Sequence, residues 1–381
     1  MSIESTVDTI GQETAGKSPQ EKSLFSPLID FLCLGGGFLI FVLPIFFFIP
    51  KDNETVGTIS LITIIAAIFI THPHVIHSYF IFYRDFRFKT FSKEYPLRKK
   101  YIFAGIILPL IMIIGFSYCI LAQNYIPLGY TANLMGFLIL WHFAKQGYGM
   151  LMVSAALKRS FFTGPEKRIL LLNTHFVWLF SWVLINDTIH EKTLWGIEYF
   201  TFALPAWALW LTATPMVIST IFVASLFIKR CLSNYASFPK NGAMSYLTSL
   251  YVWLIVVHLH PALILTVPIF HSIQYFVVVW RYEINKSNTD YKAELEKNTH
   301  PTVSVKRRLI NIGAATLVFG IIGYWVIPIA LDFFISYEIE NLPNTAFIFM
   351  FVIFYNIHHY FIDNVIWKKE NTDIAKYLFN S

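Results

Sequence analysis

Charged side chains are scarce in this sequence. Asp, Glu, Lys and Arg make up 14% of its 381 residues, whereas soluble domains carry about 25%. Hydrophobic residues make up 56%, in runs that repeatedly exceed the roughly 20 residues needed to cross a bilayer. This composition excludes a soluble globular domain. The net charge of +6 then reflects basic residues that set membrane topology, so we expect no nucleic-acid partner.

Cysteine is also rare. Cys33, Cys119 and Cys231 lie far apart and form no CxxC pair, which excludes a disulfide framework and a thiolate metal site. The motifs GxSxG and HExxH are absent. The chain therefore lacks the sequence signatures of α/β-hydrolases and HExxH metalloproteases.

The apolar runs predict an all-α, polytopic bundle of membrane helices. We expect a disordered polar tail over residues 1–26, a single transmembrane domain over 27–367 and a C-terminal tail over 368–381. The domain divides into about ten predicted spans, with Pro261 separating the seventh from the eighth. The spans are 27–49, 56–83, 101–121, 131–157, 169–189, 203–228, 244–260, 262–283, 308–336 and 345–367.

Lysine and arginine are unevenly distributed between the connections. Of the 29 Lys and Arg residues, all but three lie in the two tails or in connections that follow even-numbered spans. The three exceptions are Lys51, Lys145 and Lys192. Cytoplasmic connections carry the excess of positive charge, so both termini are predicted to be cytoplasmic. The main alternative, a nine-span count, would break this alternation. The expected location is a bacterial inner membrane.

Histidines occur in spans two, four, eight and ten, where a membrane helix ordinarily carries hydrocarbon side chains. In the predicted topology all four spans run toward the cytoplasm, and each histidine precedes the next basic cluster by about 7 to 16 residues. Helices that run in the same direction therefore place these imidazoles at overlapping depth. The histidines are His74 and His77 in span two, His142 in span four, His271 in span eight, and His358 and His359 in span ten.

Polar neighbours accompany these histidines at helical spacing. Asp363 follows His359 by four residues, so the two share a helix face. Lys145 and Gln274 each follow a histidine by three residues. We expect the six histidines and Asp363 to bind metal, and Lys145 and Gln274 to take part in catalysis or in positioning.

The predicted ligands indicate which metal the site would take. Neutral imidazoles with a carboxylate suit zinc, iron or copper. Without a thiolate the set favours iron or zinc, and we expect two iron ions, with zinc as the alternative. Asp363 is either a ligand or the group that orients His359.

The histidine clusters resemble those of two kinds of membrane enzyme. The pair His358 and His359 and the group His72, His74 and His77 are similar to the His boxes of polytopic fatty-acid desaturases and hydroxylases, which hold two irons. The chain is also similar in style to the His-rich carotene-cleaving oxygenases of bacteria. This resemblance covers the clusters and not the rest of the chain.

Three functions fit these observations. The first is a membrane-bound, di-iron oxidoreductase or oxygenase that acts on a lipid-like apolar substrate and takes electrons from a donor protein. The second is a metal-ion or proton-coupled transporter that uses the same His/Asp set as a relay; the scarcity of carboxylates within the spans disfavours it. The third is a metal-independent lipid-group transferase with a His–Asp base and Lys145 on a phosphate, whose activity would survive chelators.

Overall fold

The computed structural model describes residues 23–188, 193–194, 197–198, 200–297, 303–335, 337, 345–368 and 370–379. Within these ranges all the regular secondary structure is helical apart from one antiparallel pair of two-residue strands, β1 (Thr193–Leu194) and β2 (Ile197–Glu198). The α-helices are α1 (Pro27–Phe31), α2 (Leu43–Phe46), α3 (Asn53–Phe69), α4 (Thr71–Tyr83), α5 (Phe86–Phe91), α6 (Arg98–Ile102), α7 (Leu108–Leu121), α8 (Ile126–Leu157), α9 (Gly164–Thr188), α10 (Ala206–Ser233), α11 (Lys240–Leu247), α12 (Pro261–Glu296), α13 (Val305–Ile321), α14 (Ile327–Phe334), α15 (Ala346–Ile366) and α16 (Thr372–Phe379). Segments of π-helix cover Leu32–Gly36, Phe38–Val42, Phe103–Ile107, Thr248–Val252 and Ile322–Val326, and a 3-10 helix covers Val256–Leu259.

Among the described residues, seven helical segments are long and apolar enough to cross a membrane. They indicate a multi-pass membrane protein, in agreement with the sequence prediction, but the predicted count of ten spans is not confirmed. The segments are Asn53–Tyr83, Arg98–Leu121, Gly164–Asp187, Ala206–Ser233, Ala262–Glu296, Val305–Phe334 and Ala346–Ile366.

Three predicted spans are not among these seven segments. The first, 27–49, is broken at Gly35, whose φ of 134° lies in a region that glycine adopts readily; a Cβ there would meet the Thr248 hydroxyl at 2.8 Å. The seventh, 244–260, divides into the end of α11, a π-helical segment and a 3-10 helix. The fourth corresponds to α8, which is 32 residues long but carries several polar side chains among its apolar ones.

Central and peripheral helices differ in burial. Only 17% of the most apolar window is buried in Arg98–Leu121 and in Ala206–Ser233, against 61% in Ala262–Glu296 and 56% in Ala346–Ile366. Lipid tails are as apolar as leucine side chains, so the first two segments expose their apolar surfaces at little cost. The last two, which correspond to α12 and α15, form the middle of the bundle.

Helices α4 and α12 cross this middle in the same direction. At one level His74 Nδ1 lies 2.8 Å from Ser272 Oγ. Further along, Arg84 Nη1 donates to Tyr282 Oη at 3.2 Å. Residue numbers rise together along both helices, as the predicted topology requires for spans two and eight.

Helices α8 and α15 also run in the same direction. Near their N-terminal ends, Leu128 and Phe349 belong to one buried apolar cluster. Further along, the ring centroids of His142 and His359 are 5.0 Å apart. The central helices therefore form two parallel pairs that meet at the level of their histidines.

The predicted C-terminal tail contains a helix, α16, which packs on α12. Arg281 of α12 donates to the backbone carbonyls of Leu378, Ser23 and Leu24 at 2.6–2.9 Å, and Asn285 donates to the Tyr377 carbonyl at 2.8 Å. These bonds tie both ends of the described chain to α12. Residues 1–22 of the predicted N-terminal tail lie outside the described residues.

Helix α8 approaches its neighbours closely at Gly147. A Cβ at this position would lie 2.6 Å from Ser249 Cβ and 3.4 Å from the Ser245 carbonyl oxygen. Small residues allow membrane helices to pack at such short range. Two residues further on, a Cβ at Gly149 would meet nothing within 4 Å.

We expect Gly147→Ala to destabilise the protein by about 1–3 kcal/mol, because the added methyl group overpacks the contact with Ser249. Gly149→Ala is the matched control on the same helix, and it should be neutral or slightly stabilising because alanine favours helix. Thermal unfolding in detergent, followed by tryptophan fluorescence, measures both. Equal midpoints for the two variants would show that this contact is not tight.

Candidate metal centre

Four histidines meet at the centre of the bundle, one from each of α4, α8, α12 and α15. They are His74, His142, His271 and His359, and one ring nitrogen of each lies within 4.8 Å of the other three. Their side chains are 1–8% exposed. Within the part of the chain that the structure describes, this is the one group of His, Cys, Asp or Glu residues with such spacing.

Ser272 fixes the tautomer of His74. The Ser272 hydroxyl donates to the Pro268 carbonyl oxygen, one turn earlier, at 2.7 Å. Its oxygen therefore accepts a hydrogen bond from His74 Nδ1–H at 2.8 Å. The lone pair of His74 is then on Nε2, and this atom has no hydrogen-bond partner among the described residues. Metal-binding histidines are oriented in this way by a bond at their other nitrogen.

The other three imidazoles also present nitrogen atoms to the same point. His142 Nε2 lies 3.1 Å from His271 Nε2. In the described structure, His271 Nδ1 and both nitrogens of His359 have no hydrogen-bond partner. A buried polar atom left unpaired costs about 1–3 kcal/mol, and a bound cation would engage such lone pairs.

The spacing of the four rings fits a single metal ion. Nitrogen ligands on opposite sides of an ion, each at about 2.1 Å, are about 4.2 Å apart. All four nitrogen atoms lie within 4.8 Å of one another, so small shifts of the rings would bring them onto one ion. The donor set is all imidazole, which suits iron, zinc, copper or nickel.

Asp363 lies at the edge of this cluster. Its Oδ2 is 3.6 Å from His359 Nε2 and 3.8 Å from His142 Nε2, and the side chain is 4% exposed. Both distances are too long for a hydrogen bond, so the carboxylate lies beside these two rings at ion-pair range. The structure places it beside the ligands and leaves its predicted role as a ligand open.

The structure places His358, predicted as a ligand, apart from the four. Its Nε2–H donates to the Ala104 carbonyl oxygen at 2.8 Å, and its Nδ1 accepts from the Tyr79 hydroxyl at 2.7 Å. Both ring nitrogens are thus engaged by protein atoms. In this arrangement His358 links α15 to α4 and to the π-helical segment Phe103–Ile107.

His77 also lies apart from the four, beside a buried ion pair. Its Nε2 is 3.5 Å from Glu283 Oε1, and this oxygen accepts from Arg84 Nη2 at 3.1 Å. The His77 ring packs edge-on against Trp280 with centroids 5.6 Å apart. Glu283 is 1% exposed, so Arg84 supplies the opposite charge that a buried carboxylate requires.

Gln274, predicted as a catalytic or positioning residue, is fully buried and joins several helices. Its Oε1 accepts from Gln146 Nε2 at 2.9 Å, and its Nε2 donates to Ser245 Oγ at 2.7 Å. Gln146 also donates to the His271 carbonyl oxygen at 3.0 Å. Since His142 meets His271 and Gln146 meets Gln274, α8 and α12 run in the same direction, and so do all four central helices. These bonds fix α12 within one turn of His271.

Lys145, also predicted as catalytic, lies on the aromatic side of its own helix. Its Nζ is 5.6 Å from the Trp141 ring centroid and 5.1 Å from that of Tyr148. Such cation–π contacts hold an ammonium group without neutralising it. The structure therefore does not bring Lys145 into the group of four histidines, and a role in catalysis stays a prediction.

Aromatic rings surround the four histidines. Tyr360 stacks on His142 with centroids 4.7 Å apart, Phe143 lies 4.4 Å from His271, and Tyr275 lies 4.1 Å from His74. This shell keeps water away from the imidazoles and limits their rotation. The centre is thus a rigid, mostly apolar enclosure with nitrogen atoms directed inward.

Sequence reasoning missed three residues that organise the site. The one indication of Ser272 in the sequence is its position next to His271, in the segment His271–Tyr275. Tyr79 and Glu283 gave none, because their partners are distant in sequence and Glu283 is the last residue of the predicted eighth span. Comparison with protein-family models, with curated proteins and with solved structures gave no match for this chain.

We expect Ser272→Ala to weaken metal binding by about 10–100-fold, because His74 would lose the hydrogen bond that orients it. Ser181→Ala is the matched control: Ser181 is fully buried and its hydroxyl donates to the Val177 carbonyl oxygen, also four residues earlier, but it lies in α9. Metal retained per chain during dialysis against a graded chelator measures the effect. Equal retention in the two variants would contradict this role of Ser272.

Proposed function

We propose that the protein is an iron-dependent membrane oxidoreductase, most simply an oxygenase, that acts on a lipid-like apolar substrate. The observation that carries the proposal is the meeting of four buried imidazoles from four helices, several of whose nitrogen atoms have no hydrogen-bond partner among the described residues. Polar groups at membrane depth are costly and are kept for function.

His74, His142, His271 and His359 would hold the ion. Iron bound there would supply the activation of dioxygen. The chain itself would do the rest: Ser272 holds the proton on His74 Nδ1, Asp363 places a carboxylate beside the rings of His359 and His142, and the aromatic shell excludes water.

The donor set supports one ion. The sequence led us to expect two, and that expectation stays a prediction. The four nitrogen atoms lie within 4.8 Å of one another. His77 and His358, which a second site would need, lie apart from them. His77 lies against Glu283, and His358 lies against Tyr79 and Ala104. We therefore propose a single iron, with zinc as the alternative.

The surroundings of the centre support an apolar substrate. Three of the four helices that carry the centre, α4, α12 and α15, belong to segments long and apolar enough to cross a membrane, and its nearest neighbours include Phe143, Tyr275 and Tyr360. A lipid-like compound dissolved in the bilayer would reach such a site laterally. An electron-donor protein remains part of the proposal, and it would dock on the basic cytoplasmic connections. Gln274 would act as a positioning residue.

We also propose a membrane arrangement for the chain. Both termini would be cytoplasmic and the protein would lie in a bacterial inner membrane, with up to ten crossings. The support is the distribution of Lys and Arg over alternate connections. The common direction of α4, α8, α12 and α15 is consistent with it.

We expect purified wild-type protein to retain about one iron per chain and His359→Ala to lose it, because that variant removes one of four ligands. His175→Ala is the matched control and should keep the iron, because His175 donates through Nδ1 to the Leu171 carbonyl oxygen, outside the cluster. Elemental analysis after detergent purification measures this. Zinc in place of iron would favour metal-assisted transfer or a structural site, and no metal in any sample would overturn the proposal.

Activity gives a second test. Wild-type protein supplied with a reductant and a membrane lipid extract should consume dioxygen, and chelation or His359→Ala should abolish the lipid-dependent part. His175→Ala should leave it intact. Lipid modification that survives chelators would instead indicate the metal-independent transferase, and flux of metal ions or protons in vesicles would indicate the transporter.

A further inference from the structure

A basic cleft lies at one end of the bundle, away from the four histidines. Its volume is about 190 Å³, and it is formed where three elements begin or end: the residues before α1, the C-terminal end of α8 and the first turn of α11. Six of the residues that line the cleft are polar or charged. They are Ser23, Asp30, Ser154, Lys158, Lys240 and Asn241.

The charge of this cleft favours an anion. Lys158 and Lys240 contribute two ammonium groups. Among the described residues of the lining, the carboxylate is that of Asp30, which is 4% exposed and accepts on both oxygens from the backbone N–H groups of Leu24 and Phe25 at 2.7 and 3.0 Å. Its charge is thus partly offset by these donors.

An apolar groove continues from this cleft. Its volume is about 550 Å³, and Lys240 lines both cavities. Beyond Lys240, the groove follows one side of α11 and of the next π-helical segment, because its lining residues recur at helical spacing. On this side they are Ala243, Met244, Leu247, Thr248, Tyr251 and Val252.

Two hydroxyl groups in the wall of the groove, those of Thr220 and Tyr251, are already engaged. The hydroxyls of Thr220 and Tyr251 lie 2.9 Å apart, and Tyr251 donates to Asn173 Oδ1 at 2.9 Å. They therefore present mainly carbon atoms to the groove. From Lys240 to Val252 the chain rises about 18 Å at 1.5 Å per residue, which is about half of the roughly 30 Å hydrocarbon core. The groove thus spans about one leaflet.

Lys240 is held where the cleft meets the groove. Its Nζ lies 3.4 Å from the centroid of the Tyr235 ring, a cation–π contact that positions the ammonium group and keeps its charge. An amphiphile would therefore place its negatively charged head group in the cleft at Lys240 and its long apolar tail in the groove.

We propose that this combined cavity is a binding site for one anionic phospholipid of the bilayer, with its phosphate at Lys158 and Lys240 and an acyl chain along α11. Basic pockets between membrane helices bind such headgroups. The site is independent of the proposed iron centre and of its activity. One hydrogen bond connects the two regions: Gln274 of α12 donates to the carbonyl oxygen of Leu34, which lines the cleft.

The test uses the full chain in detergent, with phosphatidylglycerol and phosphatidylcholine of identical acyl chains as probes. Native mass spectrometry counts the lipid retained. Wild-type protein should retain phosphatidylglycerol in preference to phosphatidylcholine, and Lys158→Gln with Lys240→Gln should reduce that retention by about five-fold or more, since each lysine contributes to binding the phosphate. The wild type should also gain thermal stability when phosphatidylglycerol is added, because a ligand stabilises the state that binds it.

Two further variants keep the outcome decisive. Lys167→Gln with Lys229→Gln removes the same charge from exposed positions outside both cavities and should retain the lipid. Leu247→Trp, at an exposed position, would fill the groove and should reduce retention while the lysines remain. Equal loss in both lysine pairs, or equal retention of the two lipids by the wild type, would overturn the proposal. So would a dimer that Leu247→Trp disperses, because a second copy would then cover the groove.

Discussion

Four imidazole rings lie in a position that hydrocarbon side chains would otherwise fill, and this is the constraint on which the bundle depends. Three of the rings, those of His74, His271 and His359, keep a buried nitrogen without a hydrogen-bond partner among the described residues, and the fourth, His142, meets His271. Such an arrangement is stable only when the helices that carry the rings are fixed in register, because a shift of one residue would turn each side chain about 100° away.

The register is fixed by polar bonds placed within a few residues of the histidines. Ser272 holds His74 directly, and Gln146 and Gln274 fix α8 to α12 beside His142 and His271. On the other side, His358 ties α15 to α4 through Tyr79. Hydrogen bonds are effective links between membrane helices, where close packing replaces the hydrophobic effect as the main attraction. The close contact of Gly147 with Ser249 adds a short approach between α8 and the π-helical segment that follows α11.

Periodicity and charge predicted much of this structure. Helical character, membrane composition and the convergence of four histidine-bearing spans could all be argued from the sequence, because each depends on residue type and local spacing. The breaks at Gly35 and after Leu247 could not, because they depend on backbone conformation and on close packing against other helices. Different roles within the pair His358–His359 could not be assigned from the sequence for a similar reason. Neighbouring histidines project in different directions from a helix, and only their distant partners separate the one that faces the cluster from the one that links helices.

The four histidines are also widely separated along the chain, from His74 in α4 to His359 in α15. A ribosome adding 5–20 residues per second would need roughly 15 to 60 s to pass from the first to the last. Until then the growing protein holds an incomplete ring of imidazoles within the lipid. The centre is therefore assembled last, and any truncated product that lacks α15 would be inserted in the membrane without a complete site. All four rings could therefore bind one ion only after α15 has been synthesised.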